Sequence, residues 1–291
     1  LFLTLLLIAS IAIADDQRPS GDNRITWYYA NFPPVTIPDG PQAGTGFYDR
    51  ITQFIIERLD GYEHEFQVAN FKRIINEIRS QEPVCCATLY KTPEREKYVT
   101  FSLPVVVVLP SGVVARKADR EKLKPYLSED RTIFLERVLQ DGNFRVGVAK
   151  GRIYTGEIDE ILDRYRSSRL VDERAGKDVF QGLVAMLLAG RVDLIIGYPT
   201  EAQFAGRTLE KEDQVVFFPV AEMSQTYTLG HVGCPKNDWG QKIIDKVDLI
   251  LKKHRATPEF IGYYEQRLDD DTIPTYRRIA QDVFSSPGPP P

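Results

Sequence analysis

The chain carries few side chains of the kinds that do covalent or metal chemistry. Its three cysteines are Cys85, Cys86 and Cys234, and its three histidines are His64, His231 and His254. No cysteine pair has C-x-x-C spacing, and His231 with Cys234 makes no paired-ligand motif, so a structural zinc site is not expected. Two readings of the thiols stay open. In an oxidising compartment one of the vicinal pair bridges Cys234; otherwise all three are buried thiols. Cys85 and Cys86 fall in an apolar strand-like run, where a thiol is inert rather than nucleophilic. The sequence has no G-x-S-x-G elbow, no H-E-x-x-H, no P-loop and no G-x-G-x-x-G. Catalysis, metal binding and a nucleotide cofactor are therefore not expected. Glu157, after the Lys150-Gly151 turn, is the single carboxylate placed like an acid or base.

Of the 291 residues 43% are hydrophobic, and the formal net charge is -4. That is enough apolar material for one large or two medium domains. Acidic and basic residues are interspersed, which gives no nucleic-acid footprint. Leu1 to Ala9 is apolar and uncharged, and the stretch ends in Ala12-Ile13-Ala14. This small-x-small pattern before polar sequence reads as a signal peptide over residues 1–14. The run is shorter than the ~20 residues that span a bilayer, and no cysteine follows it to carry a lipid. The mature protein is expected to be free in the periplasm.

Strand-like and helix-like periods alternate along the rest. Ile25 to Tyr29, Glu65 to Val68 and Val84 to Leu89 read as strands. Phe47, Ile51, Phe54, Ile55 and Leu59 fall at helical spacing, as do Phe71, Ile74, Ile75 and Ile78, with Asn70 as the cap. Val105 to Leu109 reads as a buried strand and Lys117 to Lys124 as an exposed connection. Alternation resumes with strand Arg145 to Ala149, helix Glu157 to Tyr165, a helix through Val179 to Leu187 capped by Asp178, and strand Val192 to Ile196. Val215 to Phe218 and Tyr227 to Val232 read as strands, and Asp238 as the cap of a long helix through Leu251. Residues 285–291 are polar, Pro-rich and expected to be loose. Such alternation predicts mostly parallel sheets flanked by helices, and the coarse echo between halves predicts two α/β lobes.

An ordered set of short motifs then resembles family 3 of the bacterial extracellular solute-binding proteins. Thr92-Pro93-Glu94-Arg95 is followed six residues later by Ser102-Leu103-Pro104. Phe32-Pro33-Pro34 leads into Gly46-Phe47. Val146 to Gly151 ends a strand in Lys-Gly, Leu187 to Asp193 reads L-L-A-G-R-V-D, and Pro235 to Gly240 reads P-K-N-x-W-G. The resemblance spans nearly the whole mature chain. It implies the type II periplasmic-binding-protein fold: lobe 1 from residues 24–109 and 224–284, lobe 2 from 110–223, and a ligand cleft between them. The crossings would be Val105 to Leu109 outward and Ala221 to Gln225 back.

The resemblance also implies a role for Arg95, whose counterpart clamps a ligand carboxylate. A planar guanidinium does this bidentately and keeps its charge when desolvated. Lys91 would add positive charge beside it. Where relatives place polar or acidic groups this chain has Tyr29, Tyr90 and Tyr198, and after Lys150-Gly151 it has Arg152 and Tyr154. With Phe32 these form an aromatic wall suited to stacking and cation–π contact. No carboxylate stands where a ligand ammonium would need one. The expectation is a monomeric, non-enzymatic periplasmic protein that closes on a small carboxylate-bearing or aromatic solute and hands it to an ABC permease or a receptor. The alternative is an enzyme on the same scaffold, such as a cyclohexadienyl-dehydratase-like lyase.

Overall fold

The run Arg24–Tyr29 (β1) organises the first lobe because its side chains alternate between two cores. Ile25 and Trp27 enter one core, and Tyr28 enters the other. This is seen in a computed structural model that describes residues 23–154, 156–176 and 178–286. The segment 1–14, expected to be a signal peptide, lies outside those residues, as do 287–291 of the tail; Ser285 itself ends the last helix.

Helix α1 (Phe47–Ile56) follows, then β2 (Glu63–Val68), α2 (Phe71–Arg79), β3 (Val84–Tyr90) and β4 (Val99–Val108). The chain crosses at Leu109–Ser111 into β5 (Gly112–Arg116), α3 (Arg120–Leu123) and α4 (Leu135–Gln140). The second lobe continues with β6 (Val146–Ala149), α5 (Gly156–Tyr165), β7 (Val171–Arg174), α6 (Val179–Leu188), β8 (Leu194–Gly197), α7 (Pro199–Thr208) and β9 (Val215–Phe218). A return leads to β10 (Thr228–Pro235), α8 (Asp238–His254), α9 (Pro258–Glu265) and α10 (Ile273–Ser285).

Two five-stranded sheets result, ordered β2-β1-β3-β10-β4 and β7-β6-β8-β5-β9. In each, four strands run in one direction and the fourth in order, β10 or β5, runs antiparallel to both its neighbours. The fourth strand of each sheet is the one the chain enters on arriving from the other sheet. The two halves are thus mixed sheets of one topology. In the second lobe, α4 and α5 cover one face and α6 and α7 the other. In the first, α8 packs Ile243, Ile244, Val247 and Leu251 against Val105–Val108. A third link braces the lobes: Asp271, between α9 and α10, pairs with Arg120 and, at 3.7 Å, with Arg131.

Several local readings are corrected. Lys117–Tyr126 is a string of helical turns rather than an exposed connection, with Asp119 and Leu123 buried. Arg116 fastens it, bonding Asp119 at 2.5 Å and the Leu187 and Val192 carbonyls at 2.6 and 2.8 Å. Strand β4 starts at Val99, ahead of Pro104, because a register shift in β10 beside that proline absorbs its missing N–H. Asn237, not Asp238, caps α8, accepting from the Gly240 N–H at 2.8 Å. Asp178 precedes α6 in a left-handed conformation with no capping bond from its side chain. Phe71, expected inward, is 45% exposed at the start of α2, while Ile74 and Ile78 are buried. The expected Asn70 cap is present, accepting from the Arg73 N–H at 2.9 Å.

Candidate functional site

Each sheet delivers side chains to the interlobe region at the C-terminal ends of its parallel strands, where open α/β sheets place ligands. Tyr29 ends β1 and Tyr90 ends β3; Arg152 and Tyr154 follow β6, and Tyr198 follows β8. The Tyr90 and Tyr198 phenols, one from each lobe, lie close enough to interact. Phe32 and Pro33 of the first lobe line a cavity of about 260 Å³ with Phe180, Gln181, Glu201 and Phe204 of the second.

Arg95 sits in a 3₁₀ turn, Arg95–Lys97, that carries its side chain back over β3. Its Nη1 donates to the Tyr90 carbonyl at 2.7 Å, and its backbone N–H donates to Thr92 Oγ1 at 3.3 Å. The neighbouring carboxylates are committed elsewhere. Glu94 pairs with Arg79 at 3.0 Å and Glu96 with Lys91 at 2.8 Å. Among the described residues no carboxylate pairs with Arg95, so the guanidinium keeps donors and charge for another partner. The Lys91 charge, by contrast, is answered at the surface by Glu96.

The second lobe contributes a different arrangement. Arg152 forks onto Glu201, Nη1 to Oε1 at 3.0 Å and Nη2 to Oε2 at 2.8 Å. The Tyr198 N–H also donates to Oε2, at 3.1 Å. The guanidinium carbon lies 5.2 Å from the Tyr154 ring centre and 5.1 Å from that of Tyr198. Glu201 is buried and Arg152 mostly so. Sequence reading missed Glu201. Its one local signal is its place three residues after Tyr198, which reads only as a capping glutamate; its partner lies 49 positions earlier.

The aromatic residues divide. Tyr154 is buried in the second core, its hydroxyl accepting from the Ala149 N–H at 2.7 Å, so it supports Arg152 from behind. Tyr198 and Tyr90 are held protonated: burial raises both phenols, and Tyr90, beside Tyr198, is pushed up to about 12. Tyr29 meets Phe66 edge-on at 6.0 Å between ring centres. It lines a separate first-lobe cavity of about 440 Å³ with Trp27, Phe66, Asp49 and Thr88. Burial, then Asp49 and Asp39, raise its phenol too. The structure thus brings Tyr90, Tyr198 and Arg152 together and sets Tyr29 apart in that cavity.

Groups suited to acid–base work are engaged. Glu157 accepts from the Ser224 N–H at 3.0 Å, and hydrogen bonding from the Ser224 side chain first, then from backbone N–H groups, holds its carboxyl below the usual range and ionised. Cys85 is bonded to Cys234, and Cys86 is a buried thiol. Among the described residues no group of three or more His, Cys, Asp or Glu side chains is placed to hold a metal ion, and no helix is long and apolar enough to cross a membrane.

Comparison with known proteins agrees with the two-sheet fold. The family model for bacterial extracellular solute-binding proteins, family 3, matches residues 25–265. An ancestral cationic amino acid solute-binding protein is similar at 17% identity and a TM-score of 0.61, covering 85% of this chain and 96% of its own. Substrate-binding domain 2 of Lactococcus lactis GlnP, in an open conformation, is similar at 12% identity and a TM-score of 0.60, covering 84% and 95%. The second substrate-binding domain of a putative amino acid ABC transporter from Streptococcus pneumoniae is similar at 15% identity and a TM-score of 0.57, covering 84% and 100%. At these identities the likeness establishes the fold. No curated protein matches.

Proposed function

The chain belongs to the bacterial extracellular solute-binding proteins of family 3, and from that membership we propose that it is a periplasmic protein that closes on a small carboxylate-bearing or aromatic solute. The solute would bridge the lobes and so favour the closed state, because a ligand shifts a conformational equilibrium by its differential affinity for the two forms. Delivery to an ABC-type permease, or to a receptor, would follow. One observation carries the reading: Arg95, held on the Tyr90 carbonyl at the end of β3, has no carboxylate partner among the described residues, while Glu94 and Glu96 beside it are paired.

Arg95, Tyr90, Tyr198, Phe32 and Arg152 would form the binding surface, with Tyr154 behind Arg152. Tyr29 would enter from the first-lobe cavity and Lys91 from the rim. The amino-acid ligands of the structural neighbours make amino acids the default class to test. A thermal-shift screen of amino acids, organic acids and aromatic acids tests the proposal, since a ligand of the native state must raise the melting temperature. The lyase alternative needs a positioned acid; Glu157, held ionised on Ser224, is poorly suited. Incubation with prephenate or arogenate, followed by ultraviolet absorbance, separates the two.

A further inference from the structure

Two carboxylates line the interlobe cavity, Asp178, which is exposed, and Glu201, which is buried; the buried one is occupied. Both Glu201 oxygens are bonded, Oε1 to Arg152 Nη1 and Oε2 to Arg152 Nη2 and the Tyr198 N–H. Glu201 also lines the interlobe cavity, opposite Phe32. The pair is buried and flanked by the Tyr154 and Tyr198 rings. A buried, fully bonded fork of this kind does not give up a partner to an incoming ion without leaving one charge uncompensated. Its two charges cancel, as do those of Lys91 with Glu96 and Arg79 with Glu94. Of these cations, Arg95 is the one without a carboxylate partner among the described residues.

We infer that Arg152 sets specificity by occupying Glu201, so that the cleft takes monocarboxylates without an α-ammonium in preference to α-amino acids. This rests on the reading of the cleft as a carboxylate site. An α-amino acid would bring an ammonium to a cavity whose one buried carboxylate, among the described residues, is taken by Arg152, leaving only the solvent-screened Asp178. A carboxylic acid of the same skeleton brings only the charge that Arg95 answers. Arg152 is then a specificity residue acting through Glu201, and the acid-or-amine choice is made by an internal ion pair.

The test uses matched carboxylates that differ only in the α-ammonium: 3-phenylpropionate against L-phenylalanine, glutarate against L-glutamate, and propionate against L-alanine. Titration calorimetry on the intact protein should show at least one acid binding roughly tenfold or more tighter than its amino-acid partner. Arg152→Met frees Glu201 and should raise affinity for the amino acid relative to the acid. If that variant does not fold, Glu201→Gln serves. It leaves Arg152 without its counter-charge and should raise affinity for glutarate relative to 3-phenylpropionate, with no gain for amino acids. Amino acids binding as tightly as their acids in the wild type would overturn the inference while leaving the carboxylate reading intact. Unchanged preferences in a folded variant would overturn it equally. Failure of all six compounds to bind would remove the carboxylate reading itself, and this inference with it.

Discussion

The Arg95 guanidinium donates to the carbonyl of Tyr90, five residues earlier, at 2.7 Å. This bond holds the cation at the end of β3 without neutralising it. Thr92, Glu94 and Glu96 complete the arrangement by taking the turn's backbone N–H, Arg79 and Lys91 respectively. The loop therefore leaves the Arg95 charge without a carboxylate partner among the described residues.

The disulfide between Cys85 and Cys234 joins β3 to β10 across a sequence separation of 149 residues. Closing a loop of that length restricts the unfolded chain, and losing such a bond typically costs about 2–5 kcal/mol. Reductant should lower the urea midpoint. Thiol titration in denaturant should find one reactive thiol in the oxidised protein and three after reduction. Cys86, fully buried, should react in the native state with neither condition.

Trp27 donates its indole N–H to Nδ1 of His64 at 3.0 Å, so that nitrogen must be unprotonated in the folded state. Burial lowers the His64 pKa, and that of His231 likewise. A folded-state pKa below the unfolded value means that the unfolded chain binds the proton first. Stability should therefore fall as pH drops through the ordinary histidine value of about 6.5 and level off below the folded value. The urea midpoint should be lower at pH 5.5 than at pH 7.5, and a His64→Gln/His231→Gln protein should lose less over the same interval.

Arg152 and Glu201 also have opposite consequences when removed singly and together. Leaving Glu201 buried without its partner, as in Arg152→Met, should cost about 3–5 kcal/mol of stability. The double replacement Arg152→Met/Glu201→Met should cost less, because no buried charge remains. A double-mutant cycle by urea denaturation reads the difference.

The Tyr90 phenol, pushed up to about 12, and the raised Tyr198 phenol stay protonated across the neutral range. Ligand affinity should be flat between pH 7 and 9. A break in that interval would mean that one of these phenols titrates in the site.

The legible part of the fold was what local period encodes. Apolar spacing gave α1, α8 and the inner faces of β1 and β3, since those side chains are buried wherever the sheet lies. The cysteine pairing stayed open because Cys85 and Cys86 are neighbours, and only strand alternation decides between them: Cys85 enters the core that holds Cys234, and Cys86 the opposite one. Strand β5 escaped notice because it pairs with β8 and β9, both distant in sequence. In the site, Arg95 was readable from the turn around it. Glu201 was not, because its meaning depends on Arg152 across the second lobe. Tyr154 is a related case: its type suggested a wall, but its hydroxyl bonds a backbone N–H in the core.

The central claim is that Arg95 supplies the charge that holds the solute. It is tested most directly by titrating the carboxylate found in the thermal-shift screen into wild-type and Arg95→Gln protein. A charge-assisted bidentate contact contributes about 1.5–3 kcal/mol, so the account predicts that affinity falls by roughly tenfold to a hundredfold. The melting temperature of the ligand-free protein should fall only slightly, because the variant loses one exposed hydrogen bond to the Tyr90 carbonyl and no ion pair. Equal affinity of the two proteins for that carboxylate would contradict the account.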